Sequence, residues 1–270
     1  MSLHDDLEDA LRTFIDSGLI AAVLGVVKSG KEATVYCCRA NTASRLNEAY
    51  ARLRSPLLAA KVYRPRERRT FRDDSLYRTG RVILDRRQRR AAAHKTAYGR
   101  RVLFGTWVDA ELETLRRLHA AGADVPAPVA GSGRAIVMEY VGDESGPAPL
   151  LLHAALERQA APALFERVLH NVRLFLACDR VHADLSPYNI LAWNGTLRVI
   201  DFPQAVDPRT NPDAYTLLRR DIEHVCRFFA RYGVRADPVH LAEHLWDWYL
   251  DGGPATGSYG VGDERQGATR

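Results

Sequence analysis

The sequence predicts an α+β protein of two lobes, a small antiparallel sheet followed by a mostly helical half. Three observations predict it. Short runs of β-branched and small apolar residues crowd the first part of the chain with one helix among them, amphipathic helical patterns fill the second part, and an Asn-Gly pair between two apolar runs marks a hairpin inside that helical part. A chain of 270 residues suits one such domain of two lobes.

Taken in order, DDLEDALRTFIDSG places Leu7, Leu11, Phe14 and Ile15 on one face and stops at Gly18, which predicts an amphipathic helix over residues 4–17. LIAAVLGVV, ATVYCCRA and LLAAKVYR predict three strands, with SGK as the turn between the first two. A basic stretch interrupts, and TWVDAELETLRRLHAAG then reads as a helix closed by Gly122. DVPAPVAGSG reads as loop punctuation, RAIVMEYVG as a strand and DESGPAP as a loop. LFERVLHNVRLFLA is helical, NILAW and LRVIDF flank the Asn-Gly turn, and two further helices follow over AYTLLRRDIEHVCRFFARYG and residues 237–250. The last stretch, 251–270, has no apolar pattern and is expected to be disordered.

Charge is unevenly distributed. Residues 64–101 hold fourteen Arg or Lys against four Asp or Glu, so a chain of formal charge +5 carries +10 in this segment and about −5 elsewhere. Such a field suits a polyanion, RNA or a ribosomal particle among them, and equally suits a solvated loop with no partner. The basic residues are not interleaved with aromatic ones for base stacking. Cys37, Cys38, Cys178 and Cys226 have no CxxC spacing, which favours a reducing compartment, and no apolar run reaches the length of a membrane span. The acidic opening MSLHDDLEDALRTF is unlike a signal peptide, so a cytoplasmic location is expected.

The residues that carry chemistry lie in two segments. VHADLSPYNILAWNGTLRVIDFPQA places Asp184, Asn189 and Asp201 at the ends of one hairpin. A carboxylate at Asp184 can align a hydroxyl and accept its proton during phosphoryl transfer, while Asn189 and Asp201 offer the oxygen ligands that Mg²⁺ prefers. Lys61 sits in an apolar strand, where an ammonium needs a carboxylate partner and phosphates to contact. Glu111 is the best partner, since it shares a helix with Val108, Leu112 and Leu115, while Asp109 and Glu113 fall on other faces. Ser29, Gly30 and Lys31 at a hairpin tip can present N–H groups, a hydroxyl and positive charge to phosphates, although a plain turn explains them as well and no Walker A pattern is present. Met138, Glu139 and Val141 form the crossover between lobes, suited to border an adenine.

SGKEA at 29–33, HADLSPYN at 182–189 and IDFPQAV at 200–206 together resemble the RIO family of atypical serine/threonine protein kinases, of the RIO1-like or bacterial type, over roughly residues 20–235. The resemblance implies a protein-kinase-like fold without a long activation loop, a kinase domain over 1–250 with lobes about 18–141 and 142–250, and a flexible insertion at 64–101. It further implies that Lys61 contacts ATP and pairs with Glu111, that Asp184 is catalytic, that Asn189 and Asp201 bind Mg²⁺, and that Asp201 can carry an acyl phosphate. Protein substrates, autophosphorylation and a ribosome-assembly role come from the same source. Aminoglycoside and choline kinase-like enzymes share the HxDxxxxN and IDF elements, so small-molecule phosphotransfer stays open, as does a nucleotide-binding module without catalysis. Ser186 stands where ordinary protein kinases often have lysine.

Overall fold

The computed structural model describes residues 3–41, 55–64 and 97–253. Most of the basic insertion, residues 65–96, and the tail from 254 lie outside these.

Helix α1 (Leu3–Asp16) leads into β1 (Ile20–Ser29), β2 (Ala33–Ala40) and β3 (Leu57–Tyr63), followed by α2 (Ala97–Ala120), β4 (Pro128–Ser132) and β5 (Ala135–Glu139). The five strands form one antiparallel sheet in the order β1-β2-β3-β5-β4. Because β3 is central, every residue in it is buried, and the two-residue period of a strand splits its side chains between two cores. Leu58, Ala60 and Val62 join Tyr36, Cys38 and Val137 beneath Leu11 and Phe14 of α1. Leu57, Ala59 and Tyr63 join Leu112, Leu115, Ile136 and Met138 on the other face, which merges with the core of the second lobe. Lys61 belongs to that second set by register, so it emerges on the inner face.

Three assignments change here. The stretch read as loop punctuation contains β4, because Pro128 begins an edge strand, where its missing N–H breaks no ladder. Gly131 belongs to the same strand because any Cβ there would collide with Leu112 of α2. Helix α2 starts at Ala97, inside the stretch expected to be loop, since arginine is a good helix former and its density is no barrier to helix. DESGPAP likewise holds a two-residue ribbon, β6 (Gly142–Asp143) with β7 (Gly146–Pro147).

The second lobe contains α3 (Ala161–Ala177), the hairpin β8 (Ile190–Trp193) and β9 (Thr196–Val199), α4 (Ala214–Ala230) and α5 (Pro238–Leu250). The Asn194-Gly195 turn has φ of 48° and 74°, the left-handed pair that a tight hairpin requires. Asp237 caps α5 by accepting the N–H groups of Val239 and His240, with Pro238 in the first turn. Phe165 of α3 meets Phe229 of α4 edge to face at 5.5 Å. Between β9 and α4 only residues 200–213 intervene, and they are tied down by the Val181 and Val206 bridge. No helix among the described residues is long and apolar enough to cross a membrane.

Candidate active site

The sheet register aims Lys61 inward, and α2 brings a carboxylate to meet it. Lys61 Nζ donates to Glu111 Oε1 at 2.8 Å and to Asp201 Oδ1 at 2.6 Å. Glu111 is 3% exposed and Lys61 9%, whereas the Asp201 side chain keeps 45% of its surface open. Burial pulls the Lys61 ammonium down, but Asp201 and Glu111 outweigh it and hold its pKa above the ordinary lysine value. Burial lifts the Glu111 carboxyl, with Lys61 pulling back. Burial also lifts Asp201, yet the Lys61 ammonium wins and holds that carboxyl below its usual range. The lysine is therefore a buried cation shared by a closed carboxylate and an open one. Glu113, set aside on spacing, pairs with Arg117 on the exposed face of α2.

Below the sheet, residues 182–189 form a loop held by its own side chains. Asn189 Nδ2 donates to the Asp184 carbonyl at 2.8 Å and to its Oδ2 at 3.1 Å. His182 Nε2 faces the Ile200 carbonyl at 3.1 Å, so that nitrogen carries the hydrogen, and Nδ1 accepts the Asp184 N–H at 3.3 Å. One neutral imidazole thus ties the Asp184 segment to the segment that ends in Asp201. Burial pushes the His182 pKa down to about 4, consistent with that tautomer. Phe202 packs against the same imidazole at 4.6 Å and meets Phe175 edge to face at 5.4 Å. Burial raises the Asp184 carboxyl above its usual range and the Asn189 amide pulls back, while the charge of Asp201 adds to the rise. A raised carboxyl is a better proton acceptor near neutral pH.

Two of these residues occupy left-handed backbone, Ala183 at φ 66° and Asp201 at φ 72°. Strain of this kind persists only where neighbours hold it. Asp221 of α4 supplies part of the hold, accepting Ala183 N–H at 2.7 Å and Leu185 N–H at 2.9 Å. Burial lifts the Asp221 pKa to about 8 against the pull of those two donors. Neither Asp221 nor His182 was assigned a role from the sequence. The signal for Asp221 was present, since an aspartate sits on the apolar face formed by Leu217, Leu218, Ile222 and Val225.

The hairpin tip and the crossover are more constrained than their sequence suggests. Gly30 N–H donates to the Ala33 carbonyl at 2.9 Å, closing a turn whose tip is Lys31 and Glu32. Ser29 Oγ accepts from Arg64 at 2.7 Å and lies 3.3 Å from Thr34 Oγ1. At the crossover, Glu139 N–H donates to the Ala127 carbonyl at 2.8 Å, and the Val141 carbonyl accepts from Ala148 at 2.9 Å. Met138 is buried on the same face as Ala59, next to it in register.

A strand lysine paired with a helix glutamate above a loop of carboxylates defines a protein-kinase-like fold, here with a short segment in place of a long activation loop. Solved structures of the Rio2 kinase from Chaetomium thermophilum share that fold. Its ADP/Mg²⁺-phosphoaspartate complex superposes with a TM-score of 0.62 at 18% identity, covering 93% of this chain and 72% of that one. The RIO domain family (RIO1) matches residues 35–241, and the chain belongs to that family. The serine/threonine-protein kinase RIO1 of Caenorhabditis elegans is 31% identical over 238 residues, covering 88% of this chain and 42% of that protein. The human RIO1 kinase is 31% identical over 236 residues, covering 87% and 37%. An archaeal Rio1 kinase from Thermoplasma acidophilum is 34% identical over 151 residues, covering 56% and 78%. The chain thus spans about two fifths of the length of these two animal relatives.

Proposed function

We propose that this chain is an ATP- and Mg²⁺-dependent atypical serine/threonine protein kinase or ATPase, formed by one domain over residues 1–250. The observation that carries the reading is the Lys61 bridge between buried Glu111 and half-open Asp201. Glu111 holds the ammonium in place, and Lys61 orients the ATP phosphates. Ser29, Gly30 and Lys31 cover the phosphates from the hairpin tip, and Met138, Glu139 and Val141 border the adenine.

The donor set fits Mg²⁺. Asn189 commits its amide nitrogen to Asp184, which leaves its carbonyl oxygen as a ligand, and Asp201 is ionised with an open side chain. Among the described residues no cluster of three His, Cys, Asp or Glu could hold a metal, but Mg²⁺ on ATP needs only one or two protein oxygens besides phosphates and water. Bound there, Mg²⁺ would neutralise charge developing on the phosphates.

In transfer to a protein, Asp184 accepts the proton of a Ser or Thr hydroxyl. The hydroxyl oxygen bonds to the γ-phosphorus, the bond to the β,γ-bridging oxygen breaks, and ADP leaves. In ATPase turnover, an Asp201 oxygen bonds to the same phosphorus as the bond to the β,γ-bridging oxygen breaks and ADP leaves, and water later cleaves the acyl phosphate to inorganic phosphate and the free carboxylate. The second route is supported by the phosphoaspartate in the Rio2 complex named above and by the exposure of Asp201. Aminoglycoside-type chemistry has no comparable support now that the family is known. RNA or a ribosomal particle is a further proposed partner, resting on the charge of segment 64–101 alone.

Incubating the pure protein with γ-labelled ATP and Mg²⁺ tests the reading. Label lost to both alkali and hydroxylamine identifies an acyl phosphate, and label that resists hydroxylamine identifies a hydroxyl ester. Absence of both label and phosphate release would overturn the assignment.

A further inference from the structure

The residues on either side of Asp184, Ala183 and Leu185, have their N–H and C=O groups all held by one helix. Ala183 N–H and Leu185 N–H go to the two oxygens of Asp221. The Ala183 carbonyl accepts from Arg220 Nη2, and the Leu185 carbonyl faces His224 Nδ1 at 3.3 Å. A carbonyl only accepts, so Nδ1 of His224 carries the hydrogen in this contact. Arg220 and His224 are four residues apart and so share a face of α4, one turn along. They reach the carbonyls on either side of Asp184, while its own N–H and C=O are held by His182 and Asn189.

We propose that Arg220 and His224 are positioning residues for Asp184, a pair of donors that fixes the main chain on either side of it and so the direction of its carboxylate. Ala183 has a φ of 66°, which is unfavourable for a residue with a Cβ. Asp221 anchors only the N–H groups of Ala183 and Leu185, in the 182–183 and 184–185 peptides, and makes no bond to the carbonyls of the same two residues. Arg220 holds the carbonyl of the 183–184 peptide, whose N–H, that of Asp184, is held by His182, and His224 holds the carbonyl of the 185–186 peptide, so the main chain is pinned on both sides of Asp184. The Arg220 guanidinium also supplies positive charge near Asp184 that opposes the effect of burial on its carboxyl. Both residues act on Asp184 through the main chain of 183 and 185.

The inference rests on the reading of Asp184 as the group that aligns the acceptor, so its test has one arm that needs no turnover. Amide hydrogen exchange is followed across residues 181–190 in wild type, Arg220→Met, Arg220→Lys, His224→Phe and His224→Asn. The asparagine keeps a donor at the position of Nδ1, and the lysine keeps a charged donor. Arg220→Met and His224→Phe should speed exchange at Ala183 and Leu185 with little change elsewhere, and Lys and Asn should restore much of the protection. In the turnover arm, the same two variants should lower kcat by about tenfold to a hundredfold, the cost of a small misplacement, while KM for ATP stays within about twofold. The conservative variants should recover most of the loss. Wild-type exchange and kcat in Arg220→Met and His224→Phe would overturn the proposal. So would exchange that rises evenly over the whole chain, which would mark a general loss of stability. A wild-type protein that shows the local exchange pattern but turns over no ATP would support the grip and reject the proposed reaction instead.

Discussion

Lys61 Nζ lies 2.6 Å from Asp201 Oδ1, although 140 residues separate the two in the chain. The contact joins the sheet lobe to the segment after the helical lobe's hairpin, and Glu111 anchors its other side at 2.8 Å. Removing the lysine strands a fully buried carboxylate. Lys61→Met should therefore destabilise folding by roughly 3–5 kcal/mol, the usual cost of deleting one member of a buried pair. Lys61→Met combined with Glu111→Leu should recover a large part of that loss, and denaturant unfolding of the four proteins in the double-mutant cycle measures it. Strictly additive losses would contradict a direct coupling.

Asp201→Asn keeps side-chain volume but removes the charge. Folding should be retained while Mg²⁺-dependent ATP turnover falls by about a hundredfold or more. Near wild-type hydrolysis in this variant would reject Asp201 as ligand and phosphate acceptor.

Asp184→Asn should separate binding from transfer. Labelling of a protein acceptor should drop by about a hundredfold while the affinity for ATP, read by fluorescence titration, changes little. A parallel loss of both would mean that Asp184 serves nucleotide binding rather than proton acceptance.

His182 is neutral in the folded protein because burial brings its pKa to about 4, whereas an unfolded histidine titrates near 6.5. Between these values the unfolded chain binds more protons, so stability must fall as pH drops. The contribution is fully present above about 6.5 and is lost progressively down to about 4, with a size of order 3 kcal/mol. Measuring unfolding free energy against pH for wild type and His182→Asn checks this, since the difference between the curves should shrink over that window. Parallel curves would be the opposite result.

Leu11 of α1 is fully buried against the outer face of the sheet. Leu11→Ala should cost about 3 kcal/mol and lower Tm, because the site cannot close over the lost volume. Thermal unfolding measures the loss, and an unchanged Tm would mean that α1 does not stabilise the sheet.

Segment 64–101 yields a test from charge alone. If it binds RNA, replacing Arg86, Arg87, Arg89 and Arg90 with Ser should weaken binding and lower the slope of log affinity against log salt, which is about 0.9 or less per phosphate neutralised. Titrations of a structured RNA at several salt concentrations compare the two proteins, and superimposable curves would remove nucleic acid as a partner.

Much of this architecture was legible in the chain because it is set by local pattern. The two-residue alternation in LLAAKVY, the 3.6-residue period around Glu111 and the Asn194-Gly195 turn are each fixed by backbone geometry within a few residues, and the helices and the hairpin follow from them. HADLSPYN and IDFPQAV were readable for the same reason: their polar residues lie close together in sequence, and Asn189 turns back onto Asp184 only five residues away. Edge strand β4 was not legible, since Pro128 and Gly131 break strand patterns everywhere except at an edge or under a close-packed helix, and which strand is an edge depends on the whole sheet. Asp221, Arg220 and His224 are the sharper case. Asp221 is marked only by its place on an apolar face, and nothing local says that a loop nearly forty residues earlier will place the strained Ala183 and its neighbour Leu185 against all three. Lys61 was marked by its own burial as needing a carboxylate, and the sequence supplied Glu111. That Asp201 also closes on it was decided by the packing of two lobes, because a contact across 140 residues depends on the whole chain's path and not on any pattern within it.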